Sequence, residues 1–418
     1  MPASSNDFRR VLAGEGVSNF GSMLSRLALP WLATLALGAT PMQMALLLVA
    51  DVAAGAAGSL LLGALVDRSS KRAVMIATDI GRAGVLCVLA AMAFANLLSM
   101  WLLAAAAALT GLLTVAFELA RSAWVAQSIE ADRLPAHNAQ LSAVGSISET
   151  SAFALGGWLY QLLGAVLALA VDAASYLMSA ACLWGLRKSR DESLRVARRG
   201  DDGARAKSGR DESSQSRVID ELRSGLAVIR AMPQLRTLAL LEVLLALGGG
   251  VVGTIYMIFV ALDLGFGTGA LGMIFAIGGV GAVAGASLAP ALARRFGSGN
   301  AMTGGLVLLT LGALCIPLAA GATLAGAALL VAHQVIGDGG ATIFQIHNRT
   351  LRQTAVAPEL LARADGGLRT IGQLATLIGA LGGGWLATEF GARFALGLVV
   401  AVFAGAALVA HHRLRGQR

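Results

Sequence analysis

Continuous apolar stretches recur along the whole of this 418-residue chain. They fall at about 14–37, 42–64, 73–95, 98–120, 138–160, 163–186, 236–262, 268–292, 300–320, 322–346, 366–388 and 391–411. A helix needs ~20 apolar residues to cross the hydrocarbon core of a bilayer. Twelve such runs leave room for short loops, short tails and one real linker. Only 13% of the residues are charged and 56% are hydrophobic, against roughly 25% charged in a soluble domain. A soluble enzyme is thereby excluded, and so is a disordered chain, which would be poor in apolar residues. A membrane β-barrel would alternate apolar and polar residues over ~10 positions, whereas these runs are continuous and about twice that long. The 52 glycines suit helices packed closely in lipid.

The charges predict the topology. Arg9 and Arg10 precede the first run, Arg68, Lys71 and Arg72 follow the second, and Arg133 lies between the fourth and fifth. Thirteen Lys and Arg fall from Arg187 to Arg236; Arg294 and Arg295, then Arg349, Arg352 and Arg363, then Arg413, Arg415 and Arg418 continue the series. The alternate loops hold almost none, Arg393 being the clear exception. Lys and Arg concentrate on the cytoplasmic side, so both termini are expected there and the number of crossings must be even. The first run is full length rather than a short signal-peptide core, so no cleaved signal is expected. Cys87, Cys182 and Cys315 lie inside apolar runs without metal spacing and give no disulfide framework.

Residues 187–216 are rich in Arg, Asp, Glu, Ser and Gly and read as a flexible linker. Val218, Leu222, Leu226 and Ile229 then recur at helical spacing, predicting an amphipathic helix on the cytoplasmic surface. The linker separates two related halves. At an offset of 227 positions, Leu141 falls on Leu368, Gly145 on Gly372, Gly156-Gly157-Trp158-Leu159 on Gly383-Gly384-Trp385-Leu386, and Gly164 on Gly391. The expected organisation is a six-helix half over 1–186, a linker over 187–235 and a second half over 236–418. Parallel six-helix repeats place a substrate near mid-membrane in one large transporter fold.

Between the second and third runs the chain reads Gly63-Ala-Leu65-Val-Asp67-Arg68-Ser-Ser-Lys71-Arg72, followed by Asp79 and Arg82. This resembles the signature loop of the major facilitator superfamily, G-x-L-x-D-R-x-x-[RK]-[RK]. The resemblance implies an all-α membrane protein of twelve helices working by alternating access, with this loop latching the two halves in the outward-facing state. Glu118 and Arg121, near the cytoplasmic end of the fourth run, are expected partners for its charges, and Gly63 is expected to allow close helix packing. Phe8-Arg9-Arg10, Leu29-Pro30-Trp31, Thr40-Pro41, Asn138-Ala139 and Asp172-Ala-Ala-Ser175-Tyr176 together resemble the branch holding siderophore exporters and macrolide efflux proteins. The chain departs from efflux members in two places. Ala152-Phe153-Ala154-Leu155-Gly156-Gly157 lacks the Gly-Pro of their fifth helix, and the fourth run has no mid-helix Arg.

An ionisable residue inside a span is costly and marks a functional candidate. Glu15, Asn19, Ser22 and Arg26 form one polar stripe on the first run. At ~1.5 Å per residue, Arg26 lies roughly 18 Å and Asp51 about 20 Å from the cytoplasmic side, which predicts an Arg26–Asp51 interaction. Glu149 falls near mid-membrane with Ser142 and Ser146 on its side of the helix. Glu242, His333 and Asp338 complete the candidates, and Asp172 is read as structural. The spacing of His333, Asp338 and His347 does not put them on one helix face, so no metal site is expected. No phosphate-binding Gly-Lys-Ser/Thr loop or catalytic triad is present, so neither an enzyme nor a cofactor is expected.

These features point to a carrier in the bacterial inner membrane, expected to be monomeric. By resemblance it exports a small molecule in exchange for protons. The net charge of +8 is read as reporting cytoplasmic loops, so no nucleic-acid partner is expected. Asp51 and Glu149 are the leading proton carriers. An importer of the same fold and a transport-inactive sensor are the rival readings.

Overall fold

A computed structural model describes residues 5–129, 134–186, 225–356 and 358–415. Every regular element among them is helical: α1 (Ser5–Trp31, continued by a π turn at Leu32–Ala36), α2 (Pro41–Arg68), α3 (Lys71–Phe94), α4 (Met100–Ser128) and the stretch Leu134–Trp184. Gly164, at φ 73°, interrupts that stretch and divides it into α5 (134–163) and α6 (165–184). Then follow α7 (Pro233–Ile258, continued by a π turn at Phe259–Asp263), α8 (Thr268–Phe296), α9 (Ser298–Leu318), α10 (Leu324–Ala355, with a π turn at His333–Gly337), α11 (Pro358–Phe390) and α12 (Ala392–Leu414). Ser70, Ser99 and Thr323 start α3, α4 and α10 by accepting from Ala73, Leu102 and Gly326 backbone N–H groups, each satisfying an otherwise orphaned donor.

Among the described residues, ten helical segments are long and apolar enough to cross a membrane; α1 and α5 are not among those ten. α1 carries Asp7, Arg9, Arg10, Glu15 and Arg26, which lowers its hydropathy below that of its neighbours. Several helices outrun their apolar stretches, α2 to Arg68 and α10 to Ala355. Backbone hydrogen bonding continues once the apolar sequence stops, so hydropathy alone truncates them. The linker lies outside the described residues, as does most of the amphipathic segment at 218–229. Its end, 225–231, is helical, and Ile229 is buried against Gly367.

The repeat extends into the backbone. Gly164 and Gly391 both take positive φ, 73° and 86°, a conformation open to glycine at little steric cost. Both sit at tight turns between consecutive helices. Gly38 and Gly265 match likewise, at 61° and 79°. The π turns that precede them, Leu32–Ala36 and Phe259–Asp263, are again 227 positions apart. Their closing bonds agree: Ala39 N–H donates to Ala33 O at 2.9 Å and Phe266 N–H to Val260 O at 3.1 Å, each reaching six positions back across the π turn.

Contacts divide the described chain into two compact units. One takes the chain to Leu29 and again from Ala50 through α6; the other takes Pro30–Val49 and everything from 225 onward. The first has a core of Val11, Val66, Met75, Phe117, Ala180 and Leu183. In the second, Leu235, Leu238, Met302, Phe344, Leu368 and Ala410 pack together. Phe117 and Phe344 occupy matched positions of the repeat. Glycine governs close approach in the second unit: a Cβ on Gly250 would fall 2.8 Å from Ala380 N, and one on Gly379 would fall 2.8 Å from Leu247 C. α7 and α11 therefore meet backbone to backbone, the contact geometry that dispersion forces favour in lipid.

Candidate functional site

In the first unit the polar stripe of α1 is divided among several neighbours. Glu15 pairs with Arg121 of α4. Asn19 lies beside Gly145 of α5. Ser22 shares a 2.8 Å hydrogen bond with the Tyr176 hydroxyl of α6 and donates to Ser18 O. Arg26 acts electrostatically on Asp51 of α2. Arg26 and Asp51 do not form an ion pair within 4.0 Å among the described residues, so the predicted interaction is one between nearby charges rather than a direct bridge. Arg121, expected as a partner for the signature loop, pairs with Glu15, and Glu118 is exposed.

Two cations of the signature loop bind helix ends. Lys71 Nζ donates to Val66 O at 2.6 Å and Ser69 O at 3.3 Å, where α2 ends with Arg68. Arg72 donates to the Leu183 and Trp184 carbonyls at the end of α6. Final helical carbonyls lack intrahelical partners and carry the negative end of the helix dipole, so both cations sit where a helix end needs them. Among the described residues, a Cβ on Gly63 would meet nothing within 4 Å. The side chain of Asp67 lies outside the described residues, as does that of Glu149.

Asp79 and Arg82 sit apart from that loop, inside α3. Arg82 is eleven residues beyond Lys71, about 16 Å along the helix at ~1.5 Å per residue. Asp79 is 0% exposed and Arg82 3%, and the two form an ion pair. The guanidinium also lies over the Tyr176 ring at 4.2 Å and the Phe117 ring at 4.7 Å, with Thr114 Oγ1 at 3.4 Å. Asp172 is fully buried on α6, where Ser175 Oγ contacts both its backbone carbonyl and its carboxylate. Gly21 leaves the space for Asp172 and Ser175 against α1. This is a four-helix polar network that α1, α3, α4 and α6 share. Its matched positions in the second unit are apolar: Leu306 for Asp79, Leu309 for Arg82, Val399 for Asp172 and Phe403 for Tyr176.

The two units resemble each other more closely near the other candidates. Glu15 and Arg121 match Glu242 and Asn348, and the second pair also interacts, Asn348 Nδ2 donating to Glu242 Oε2 at 3.2 Å. The repeat thus ties α1 to α4 with an ion pair and α7 to α10 with a charge–amide bond. Gly372 of α11 leaves space beside Glu242.

Asp51 matches Gly278, and Gly111 matches Asp338. A Cβ on Gly111 would fall 2.8 Å from Asp51 Oδ1. In the second unit the glycine and the acid have changed places: a Cβ on Gly278 of α8 would run into Asp338 Oδ2 of α10 and lie 3.0 Å from Gln334 Nε2. Each unit therefore holds one carboxylate in the same helix crevice, supplied from opposite helices. Sequence reasoning missed this correspondence because neither aligned pair is an identity.

His333 opens the π turn of α10. Its Nδ1–H donates to Gly312 O at 3.1 Å, which leaves Nε2 as an acceptor in the neutral ring. Its ring centroid is 5.7 Å from that of Tyr256, which is 5.6 Å from Phe275. Tyr256 and Gln334 were not among the sequence candidates. The signal available was a lone tyrosine and a lone glutamine inside apolar runs. His347 lies elsewhere, bonded to the Ala289 backbone. Among the described residues no group of three or more His, Cys, Asp or Glu could hold a metal.

Arg393, the exception to the charge asymmetry, holds the end of α9: it donates to Ala319 O at 3.0 Å and lies over the Phe259 ring at 5.5 Å.

No curated protein matches the sequence. Solved structures match over nearly the full length. The nucleoside transporter NupG aligns with a TM-score of 0.74 and 14% identity, covering 99% of this chain and 100% of its own. A bacterial homologue of the iron transporter ferroportin, in an inward-facing state, gives 0.70 and 16% over 97% of this chain and 98% of its own. A bacterial homolog of the human lysosomal transporter Spinster gives 0.70 and 13% over 99% and 98%. At these identities the likeness is one of fold. The family model of the Major Facilitator Superfamily matches residues 11–364. With that match added to the signature loop and the six-helix repeat, the chain belongs to the major facilitator superfamily of membrane transporters.

Proposed function

We propose that this protein is a proton-coupled exporter of a small molecule, working by alternating access in the bacterial inner membrane. The observation that supports it best is the matched crevice of the two units, where Asp51 packs against Gly111 and Asp338 against Gly278. A carboxylate inside a span is expensive, and a carrier has use for one that changes charge or partner during its cycle. Asp51 and Glu149 are the proposed proton carriers, with Arg26 acting on Asp51. Glu242, His333 and Asp338 belong to the substrate side. The proposed cytoplasmic gate comprises Gly63, Asp67, Arg68, Lys71 and Arg72; Asp79 and Arg82 instead hold the bundle behind it, and Arg121 ties α4 to Glu15 of α1.

In this reading the chain crosses the membrane twelve times with both termini in the cytoplasm and acts as a monomer. Its sequence halves, 1–186 and 236–418, joined by the linker at 187–235, are the moving parts. Outward direction rests on the resemblance to siderophore and macrolide exporters. Loss of a labelled compound from energised cells, abolished by an uncoupler, supports this reading. Energised accumulation of the same compound replaces it with an importer.

A further inference from the structure

The matched crevices differ in one respect that bears on what the second unit binds. In the first, the carboxylate of Asp51 has a cation of its own chain nearby, Arg26 of α1. The position matching Arg26 is Gly253 of α7. Gly253 is exposed, and among the described residues a Cβ there would meet only Leu48, at 3.5 Å. Asp338 therefore has no arginine where the repeat supplies one, and no ion pair to it exists among the described residues.

What surrounds Asp338 suits a cation from outside the chain. One turn beyond Gly253 on the same helix, Tyr256 is 6% exposed, and its hydroxyl has no hydrogen-bond partner among the described residues. That hydroxyl lies within the electrostatic reach of Asp338. The rings of Tyr256, Phe275 and His333 stand together, and aromatic faces attract organic cations. The Gln334 amide lies next to the carboxylate over Gly278, and His333 Nε2 is left as an acceptor by the Nδ1–H bond to Gly312. A carboxylate, a phenol, an amide and one imidazole nitrogen make a poor metal cage but a good seat for a group with several N–H donors.

We infer that the second unit contains a binding site for an organic guanidinium or ammonium group. The group pairs with Asp338 in the role that Arg26 plays toward Asp51, and it donates to the Tyr256 hydroxyl and His333 Nε2. This deepens the carrier reading above, on which it rests, by naming the charge and class of the substrate.

The test is equilibrium binding of radiolabelled benzylguanidinium to the purified full-length protein in detergent, with benzylurea as a neutral competitor of nearly the same shape. Saturable binding is expected, with benzylurea at least tenfold weaker as a competitor. Gly253→Arg supplies the internal cation and is expected to lower affinity at least tenfold, as is Asp338→Asn. The pair Gly278→Asp with Asp338→Gly moves the carboxylate across the crevice to copy the first unit, and is expected to keep affinity within about threefold of the parent while Asp338→Gly alone loses it. Absence of binding to the parent, equal competition by benzylurea, or full affinity in folded Gly253→Arg and Asp338→Asn overturns the inference. No gradient enters this measurement. Binding without compound-evoked proton flux in liposomes removes the coupling proposed above and leaves this site standing.

Discussion

Replacing Arg82 alone, and then together with Asp79, tests how the first unit is held together. Arg82→Leu leaves the Asp79 carboxylate, 0% exposed, without its partner and removes a guanidinium from two aromatic faces. Breaking a buried ion pair from one side costs about 3–5 kcal/mol. Replacing both members by apolar residues of similar volume is often neutral or stabilising. The second unit already contains that replacement, with Leu306 and Leu309 at the matched positions, both packed in apolar core. The single variant is therefore predicted to lose about 3–5 kcal/mol and Asp79→Leu/Arg82→Leu to stay within about 1 kcal/mol of the parent. The second substitution is thus expected to recover about 2–4 kcal/mol of the loss caused by the first. Reversible unfolding of the purified protein in mixed dodecylmaltoside–SDS micelles reads it, since 3 kcal/mol moves the folding equilibrium by about two orders of magnitude. An Arg82→Leu loss below 1 kcal/mol refutes the reasoning. So does a double variant as unstable as the single one.

Other outcomes follow from the same packing. Glu15→Ala strands Arg121 and is predicted to cost about 3–5 kcal/mol, whereas Glu242→Ala leaves only the Asn348 amide and should cost about 1–3 kcal/mol; the same unfolding assay compares them. Gly250→Leu drives a side chain into the α11 backbone and should abolish a monodisperse peak on size-exclusion chromatography. Gly63→Leu, with open space around it, should elute as the parent does. For topology, a single cysteine replacing Arg415 should resist a membrane-impermeant maleimide in intact cells and react in inverted vesicles. One replacing Gly321, in the turn between α9 and α10, should do the reverse.

Much of this architecture is legible in the sequence because lipid imposes so few solutions. The helix break falls at Gly164, the glycine that the repeat matches to Gly391, two residues past the gap between the apolar runs. The repeat read from Gly145 and Gly156–Leu159 reappears in glycine conformations and in π turns that no hydropathy profile encodes. The sites were less legible. Asp79 and Arg82 follow the loop motif closely enough in sequence to be grouped with it, yet eleven residues of helix carry Arg82 deep into the bundle. The stripe of α1 reads as one surface, but helix neighbours change along its length, so Glu15, Ser22 and Arg26 meet three different helices. The crevice shared by Asp51 and Asp338 was hidden most deeply. There the repeat conserves a place for a carboxylate and a place for a glycine while exchanging the helices that supply them. An identity-based comparison scores both positions as mismatches.

Coupling between compound and proton movement is the central claim, and proteoliposomes test it directly. The purified protein is reconstituted with a pH-sensitive dye in the lumen, a pH gradient is imposed, and lipophilic cations, macrolides and siderophores are added in turn. The account predicts that at least one compound evokes a proton flux, and that Asp51→Asn or Glu149→Gln abolishes it while the gradient itself holds. Silence across the panel, from protein that still binds a compound, would contradict proton-coupled export.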